Sequence, residues 1–169
     1  MRDDNIGIYE FKDSEQDALV KFLVDFDYNS RSYDYWLARL NHWWQDNPSF
    51  NDTVIKGWVL KYNNEIVGFM GHIPLRYKFI NKEIDIHCGS SWYVNEEFRG
   101  NSMSLFFNLI GVSNESIIFT TTPSQMVMDI LPRFGFDFVN KKSHTYNYII
   151  VINYFNYIKL KFFCKSKLR

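Results

Sequence analysis

The sequence predicts an α+β fold, a mostly antiparallel sheet flanked by about four helices. Three observations carry that expectation. Apolar residues recur at helical spacing near the start of the chain and again after residue 102. Between them, alternating segments are joined by short Asn-containing turns, as in a meander of strands. One strand then runs through a polar Arg-Gly loop straight into a helical pattern.

The elements follow in order. Ile6 to Phe11 alternates apolar and polar residues as a short strand does. Asp13-Ser14 stops it, and Ser14 with Asp17 resembles a capping box. Ala18, Leu19, Phe22, Leu23 and Phe26 share one face, so residues 14–27 read as an amphipathic helix. A second helix is expected from Tyr33 to Trp44, ended by Asp46-Asn47-Pro48, because the residue before proline avoids helical geometry. Trp43-Trp44 either lines a groove or packs in the core; the usual burial of large aromatics favours the core. Lys56–Tyr62 and Glu65–His72 form a hairpin about Asn63-Asn64, residues that tolerate positive φ. Pro74 implies an edge or a break. Leu75–Ile80 resumes the strand, Asn81-Lys82 turns, and Glu83–Val94 returns. Met103, Leu105, Phe106, Leu109 and Ile110 then mark a helix ending near Gly111. Ser116–Thr121 is a short strand. Pro123 or Ser124 opens a last helix, closed by Gly135 as C′ residue. Phe136–Val139 and His144–Ile152 read as a final hairpin.

Composition bounds the function classes. The chain has 169 residues, 46% hydrophobic and 19% aromatic, enough for one domain with a substantial core. Net charge is zero but uneven. Residues 1–140 hold 12 Lys/Arg against 19 Asp/Glu, whereas residues 141–169 hold 7 Lys/Arg and no acid. The basic, aromatic stretch 154–169 is therefore set apart from a domain of residues 1–153. It reads as an extra packed element with some surface attraction, for a membrane surface or a partner, or as the remnant of a longer chain. The acidic body argues against nucleic acid as the partner. Cys88 and Cys164 make no disulfide framework, no signal-peptide pattern opens the chain, and no apolar run is long enough to span a bilayer. A cytoplasmic protein is expected. No metal site is expected.

The most informative stretch is Trp92-Tyr93-Val94-Asn95-Glu96-Glu97-Phe98-Arg99-Gly100-Asn101-Ser102-Met103-Ser104. A loop feeding a helix start offers backbone N–H groups and the positive end of the helix dipole to an anion, as a phosphate cradle does. Val94-Asn95-Glu96-Glu97-Phe98-Arg99-Gly100 is similar to the V-x-P-E-[YF]-R-G segment that begins the cofactor motif of the GNAT superfamily, the acyl-CoA-dependent N-acyltransferases. Leu131-Pro132-Arg133-Phe134-Gly135-Phe136 is similar to that family's Y-x-x-x-G-F. Asn64-Glu65-Ile66-Val67-Gly68 is similar to its d-g-x-I-V-G hairpin. Trp43-Trp44-Gln45-Asp46-Asn47-Pro48 resembles a W-x-x-x-N-P segment of some bacterial members. The four stand in the family's order and span about residues 6–152.

That resemblance implies a central twisted sheet of about six to seven strands and acetyl-CoA as acyl donor. It implies that Arg99, Gly100, Asn101, Ser102, Met103 and Ser104 hold the CoA pyrophosphate, and that the strand Trp92, Tyr93 and Val94 pairs with the pantetheine arm. Here the family's R-G-x-G-x-[GA] loop carries Ser102 and Ser104 at two small positions. Serine is small enough for close backbone approach, and its hydroxyl donates to phosphate or caps the helix. A backbone N–H near Tyr93 or Val94 is implied for the oxyanion.

The proton-transfer groups depart from the family. Leu131 occupies the position of the tyrosine that protonates the leaving thiolate. Ser90 and Cys88 occupy the usual base positions, and neither is a strong base at neutral pH. His87 is the nearest imidazole and its titration range suits base work, although alternation sets it on the face opposite Cys88 and Ser90. A bulge is one way to turn it inward. His72 lies on the neighbouring strand, and Asp85 shares the His87 face. The expected activity is direct ternary-complex transfer of acetyl to the primary amine of a small molecule, an amino sugar or surface-polysaccharide precursor. The alternative is a catalytically silent CoA-binding or interaction module.

Overall fold

A computed structural model describes residues 5–27, 29–112 and 116–137. The chain divides into two compact units, Met1–Pro123 and Ser124–Arg169. The first holds a five-stranded sheet in the order β1 (Ile6–Glu10), β2 (Gly57–Tyr62), β3 (Glu65–Phe79), β4 (Lys82–Val94), β5 (Ile117–Phe119). Neighbours are antiparallel from β1 to β4, and β5 lies parallel to β4. Two helices, α1 (Gln16–Phe26) and α2 (Tyr33–Trp44), intervene between β1 and β2, and α3 (Ser102–Gly111) lies between β4 and β5. The second unit begins with α4 (Gln125–Ile130) and a 3-10 turn. Among the described residues no helix is long and apolar enough to cross a membrane.

The core sits between one face of the sheet and the pair α1–α2. Leu19, Val20, Phe22 and Leu23 of α1 and Trp36, Leu40, Trp43 and Trp44 of α2 close on Phe11, Val59 and Phe69. Each fully buried large side chain of this set contributes roughly 1.5–3 kcal/mol. Trp43 and Trp44 are core residues, as their size suggests. Asn47 explains the segment that follows them: its Nδ2 donates to Trp43 O at 2.9 Å and Pro74 O at 2.8 Å, tying the end of α2 to β3. α3 covers the opposite face. A Cβ added at Gly89 would lie 2.7 Å from Leu109 Cδ2 and 2.9 Å from Met70 Cε, so glycine lets this helix approach β4 closely.

Several sequence expectations need correction. Helix α1 is preceded by a 3-10 turn, Asp13–Glu15. Its box is made by the Lys12 N–H donating to Glu15 Oε2 at 3.3 Å, not by Ser14 and Asp17. β3 runs unbroken through Pro74, so Leu75–Ile80 is not a separate strand. Pro74 is tolerated because β2 ends at the Gly57–Gly71 pair and its carbonyl turns to Asn47, so no ladder bond is lost. The β3–β4 turn is Ile80-Asn81, one residue earlier than expected. The described strands number five, against about six to seven expected. Phe136 and Asp137 are irregular, and the rest of the expected final hairpin, with the tail 154–169, lies outside the described residues. Gly135 is the expected left-handed C′ residue, at φ 79°.

Candidate functional site

The site begins where two strands part. β4 and β5 share three rungs, Ile86–Ile117, His87–Ile118 and Cys88–Phe119. β5 ends there, while β4 continues six residues to Val94. In that stretch β4 carries a bulge. Its pairing with β3 changes register between Phe69–Tyr93 and Gly71–Ser90, and Ser91 has φ 51°. One extra residue reverses the side-chain phase, so Trp92 joins the α3 face and Tyr93 the α1–α2 face. Tyr93 stacks on Phe26, with ring centroids 4.8 Å apart. Trp92 stacks on Phe106 at 5.0 Å and donates Nε1–H to Ser102 O at 3.2 Å. Trp92 thus fixes the first turn of α3 against the parted strand. Val94 is buried.

The cradle after Val94 is tighter than an open loop. Glu96–Asn101 is a 3-10 turn that runs directly into α3. Phe98 N–H donates to Asn95 O at 2.9 Å, and Ser102 N–H already bonds Arg99 O. Of the two serine roles, capping is not the one seen: Asn101 is the N-cap, and its side chain makes no cap bond. Phe98 packs on Tyr62 of β2, at 5.1 Å between centroids. The surface fits an anion in two respects. Space around Gly100 is open, since an added Cβ meets nothing within 4 Å. Among the described residues the exposed Arg99 guanidinium pairs with Glu96, which is more exposed still, at 3.4 Å. Ser104 is exposed as well; Asn101, Ser102 and Met103 are half-buried.

The four candidate proton carriers divide between the faces. Cys88 stands opposite Ile73, which packs on the α1–α2 core, and Ser90 shares that side. Burial pushes the Cys88 thiol up to about 11, so it is protonated at neutral pH. His87 lies on the α3 face, beside the last rung and opposite Cys88 and Ser90 as alternation sets it; the bulge falls at Ser91 and does not turn His87 toward them. It meets His72 of β3. Rungs Pro74–His87 and His72–Gly89 make the two imidazoles diagonal neighbours, and His72 Nε2 lies 2.8 Å from His87 Nδ1. The other nitrogen of His72, Nδ1, lies 2.6 Å from Ile55 O. Burial pushes His72 down to about 4 and holds half-buried His87 below the usual imidazole range, with Asp85 opposing the second shift. Asp85 does not orient His87. It faces solvent and accepts from Arg76 Nε at 3.0 Å. The histidine pair was not evident in the sequence, because the expected turn at Asn81-Lys82 displaces the register by two residues. Leu131 is a buried hydrocarbon side chain.

No family model matches the sequence, and no curated protein matches it. Solved structures do match the fold. A predicted acetyltransferase with acetyl-CoA from Clostridium acetobutylicum superposes with TM-score 0.62 at 15% identity, over 87% of this chain and 97% of its own. AAC(6')-Iy, in complex with the bisubstrate analogue CoA-S-monomethyl-acetylneamine, gives 0.60 at 11%, over 85% and 99%. Glucosamine-6-phosphate N-acetyltransferase from Arabidopsis thaliana gives 0.55 at 12%, over 87% and 100%. The chain has the GNAT fold.

Proposed function

We propose that this protein transfers an acetyl group from acetyl-CoA to the primary amine of a small molecule. The observation that supports this best is the parting of β4 and β5 after Cys88–Phe119, beside a bulge and twelve residues before Gly100 of an anion-ready turn. A strand edge suits the amide-rich pantetheine arm, and the Arg99–Ser104 turn suits the pyrophosphate. Acetyl-CoA supplies the thioester; this chain orients it and manages protons.

The transfer is direct. The amine nitrogen attacks the thioester carbon, the C–S bond breaks, and the amine gives up a proton. His87 Nε2 is the acceptor we assign, because it is an imidazole beside the last rung that stays neutral at pH 7. The leaving thiolate then takes a proton from the imidazolium or from water. The bulge at Ser91 re-aims the flanking peptide groups, one of whose N–H groups serves the developing oxyanion. Positioning alone is worth ~7–11 kcal/mol in the best cases, so a weak base suffices. We place amino sugars, including precursors of surface polysaccharides, first among acceptors. The fold neighbours that act on glucosamine-6-phosphate or hold an acetylneamine analogue support that order.

Calorimetric titration of the full chain with acetyl-CoA tests the cofactor half. We expect one site with an affinity in the micromolar range, on the order of −8 kcal/mol. Absence of a binding isotherm at millimolar acetyl-CoA contradicts the proposal.

A further inference from the structure

We propose that His72 is the positioning residue that holds His87 in the tautomer able to accept a proton, an inference that rests on the acyl-transfer reading above. The argument follows from donor and acceptor counts. Ile55 O only accepts, so the nitrogen facing it at 2.6 Å, His72 Nδ1, carries a hydrogen. A neutral His72 then has a bare Nε2. The nitrogen facing that lone pair at 2.8 Å, His87 Nδ1, must donate. Neutral His87 is left with its lone pair on Nε2.

His72 is built to hold this order. It is only 2% exposed. Its N–H donates to Lys56 O at 3.0 Å, and its carbonyl accepts Trp44 Nε1–H at 2.9 Å. Its ring lies against Trp58, with centroids 6.2 Å apart. Burial keeps it neutral, with its pKa pushed down to about 4. When His87 gains a proton at Nε2, no second proton needs to move. The new charge is met by the bond to His72 Nε2, which is polarised in turn by Ile55 O. The groups around His87 are few among the described residues. His72 comes from β3, and Arg76 of β3 is engaged by Asp85. Asp85 lies two positions away on β4 and favours the cation. β5 presents Ile118, and α3 brings the apolar Leu109 beside Gly89.

Nitrogen-15 NMR of the imidazoles in the full wild-type chain at pH 7.5 tests the assignment directly. We expect His87 with a protonated Nδ1 and a bare Nε2. A protonated Nε2 on neutral His87 overturns the proposal, whether or not His72→Leu folds. In the variants, His72→Gln keeps a donor and an acceptor and retains the tautomer. His72→Leu loses it, with kcat/KM falling about 100-fold, the low end of one acid–base contribution, and the acid limb moving to lower pH because the imidazolium loses the acceptor for its Nδ1–H. Equal tautomer populations in both variants and wild type overturn it too. The expected tautomers without acyl transfer to any amine would uphold the positioning role and remove the acyl-transfer reading. Transfer by a protein whose His87 carries Nε2–H would do the reverse.

Discussion

Cys88 and Phe119 face each other on the last rung between β4 and β5, and β4 runs six residues further. A ligand arm inserted past that rung takes up main-chain bonds there. Acetyl-CoA is therefore expected to slow amide hydrogen exchange across residues 89–94 and 99–104, about tenfold or more at saturation, while leaving β1–β2 unchanged. Uniform slowing across the sheet, or none, would argue against a site at the parting.

The turn before α3 carries its own competitor for an anion. Glu96 occupies Arg99 at 3.4 Å, and both side chains are exposed. Such a pair is worth ~0.2–1 kcal/mol. Glu96→Gln is expected to tighten CoA binding about threefold by freeing the guanidinium. Arg99→Ala is expected to weaken it about tenfold and to flatten its salt dependence. Calorimetry at two ionic strengths checks both, and unchanged affinity in both variants would remove Arg99 from the site.

Cys88 is a packed thiol, with its pKa pushed up to about 11. Its alkylation by iodoacetamide at pH 8 should run at least 100-fold slower than that of a free cysteine, as its small thiolate fraction dictates. Cys88→Ala should keep kcat within about threefold if transfer is direct. A mass adduct of one acetyl on Cys88 after incubation with acetyl-CoA would replace direct transfer with a covalent route.

His72 also couples folding to pH. An unfolded imidazole titrates near 6.5, whereas the folded one waits until about 4. Between those values the unfolded chain binds the extra proton, so stability falls as pH drops from 6.5 to 4 and is fully present above 6.5. The window is worth ~3 kcal/mol at most. Urea unfolding at pH 7 and pH 4.5 should show this loss in the wild type and its disappearance in His72→Leu. Equal pH slopes in the two proteins would contradict it.

Much of this architecture is readable from residues alone. Asn63 and Asn64, at φ 49° and 68°, make the turn their chemistry suggests, and α2 spans Tyr33–Trp44 as its spacing predicts. The features that build the site are the ones that break local rules. Ile80 sits at φ 57°, a conformation a β-branched residue rarely adopts, so the neighbouring Asn81-Lys82 is the turn that propensity selects. That one-residue shift moves every β3–β4 rung by two, and with it the meeting of His72 and His87. Ser91 bulges β4 without a glycine to announce it. Pro74 looks like a break, yet it stands where β3 has already lost its β2 neighbour.

The central claim is acyl transfer to an amine, and thiol release tests it most directly. The full chain is incubated with acetyl-CoA and a panel of primary amines, glucosamine-6-phosphate among them, and free CoA is followed over time. We predict release that depends on an amine, is stoichiometric with N-acetyl product, and falls at least tenfold in His87→Gln. Release no faster than the amine-free background for every member of the panel, from a protein that binds acetyl-CoA, would contradict the account.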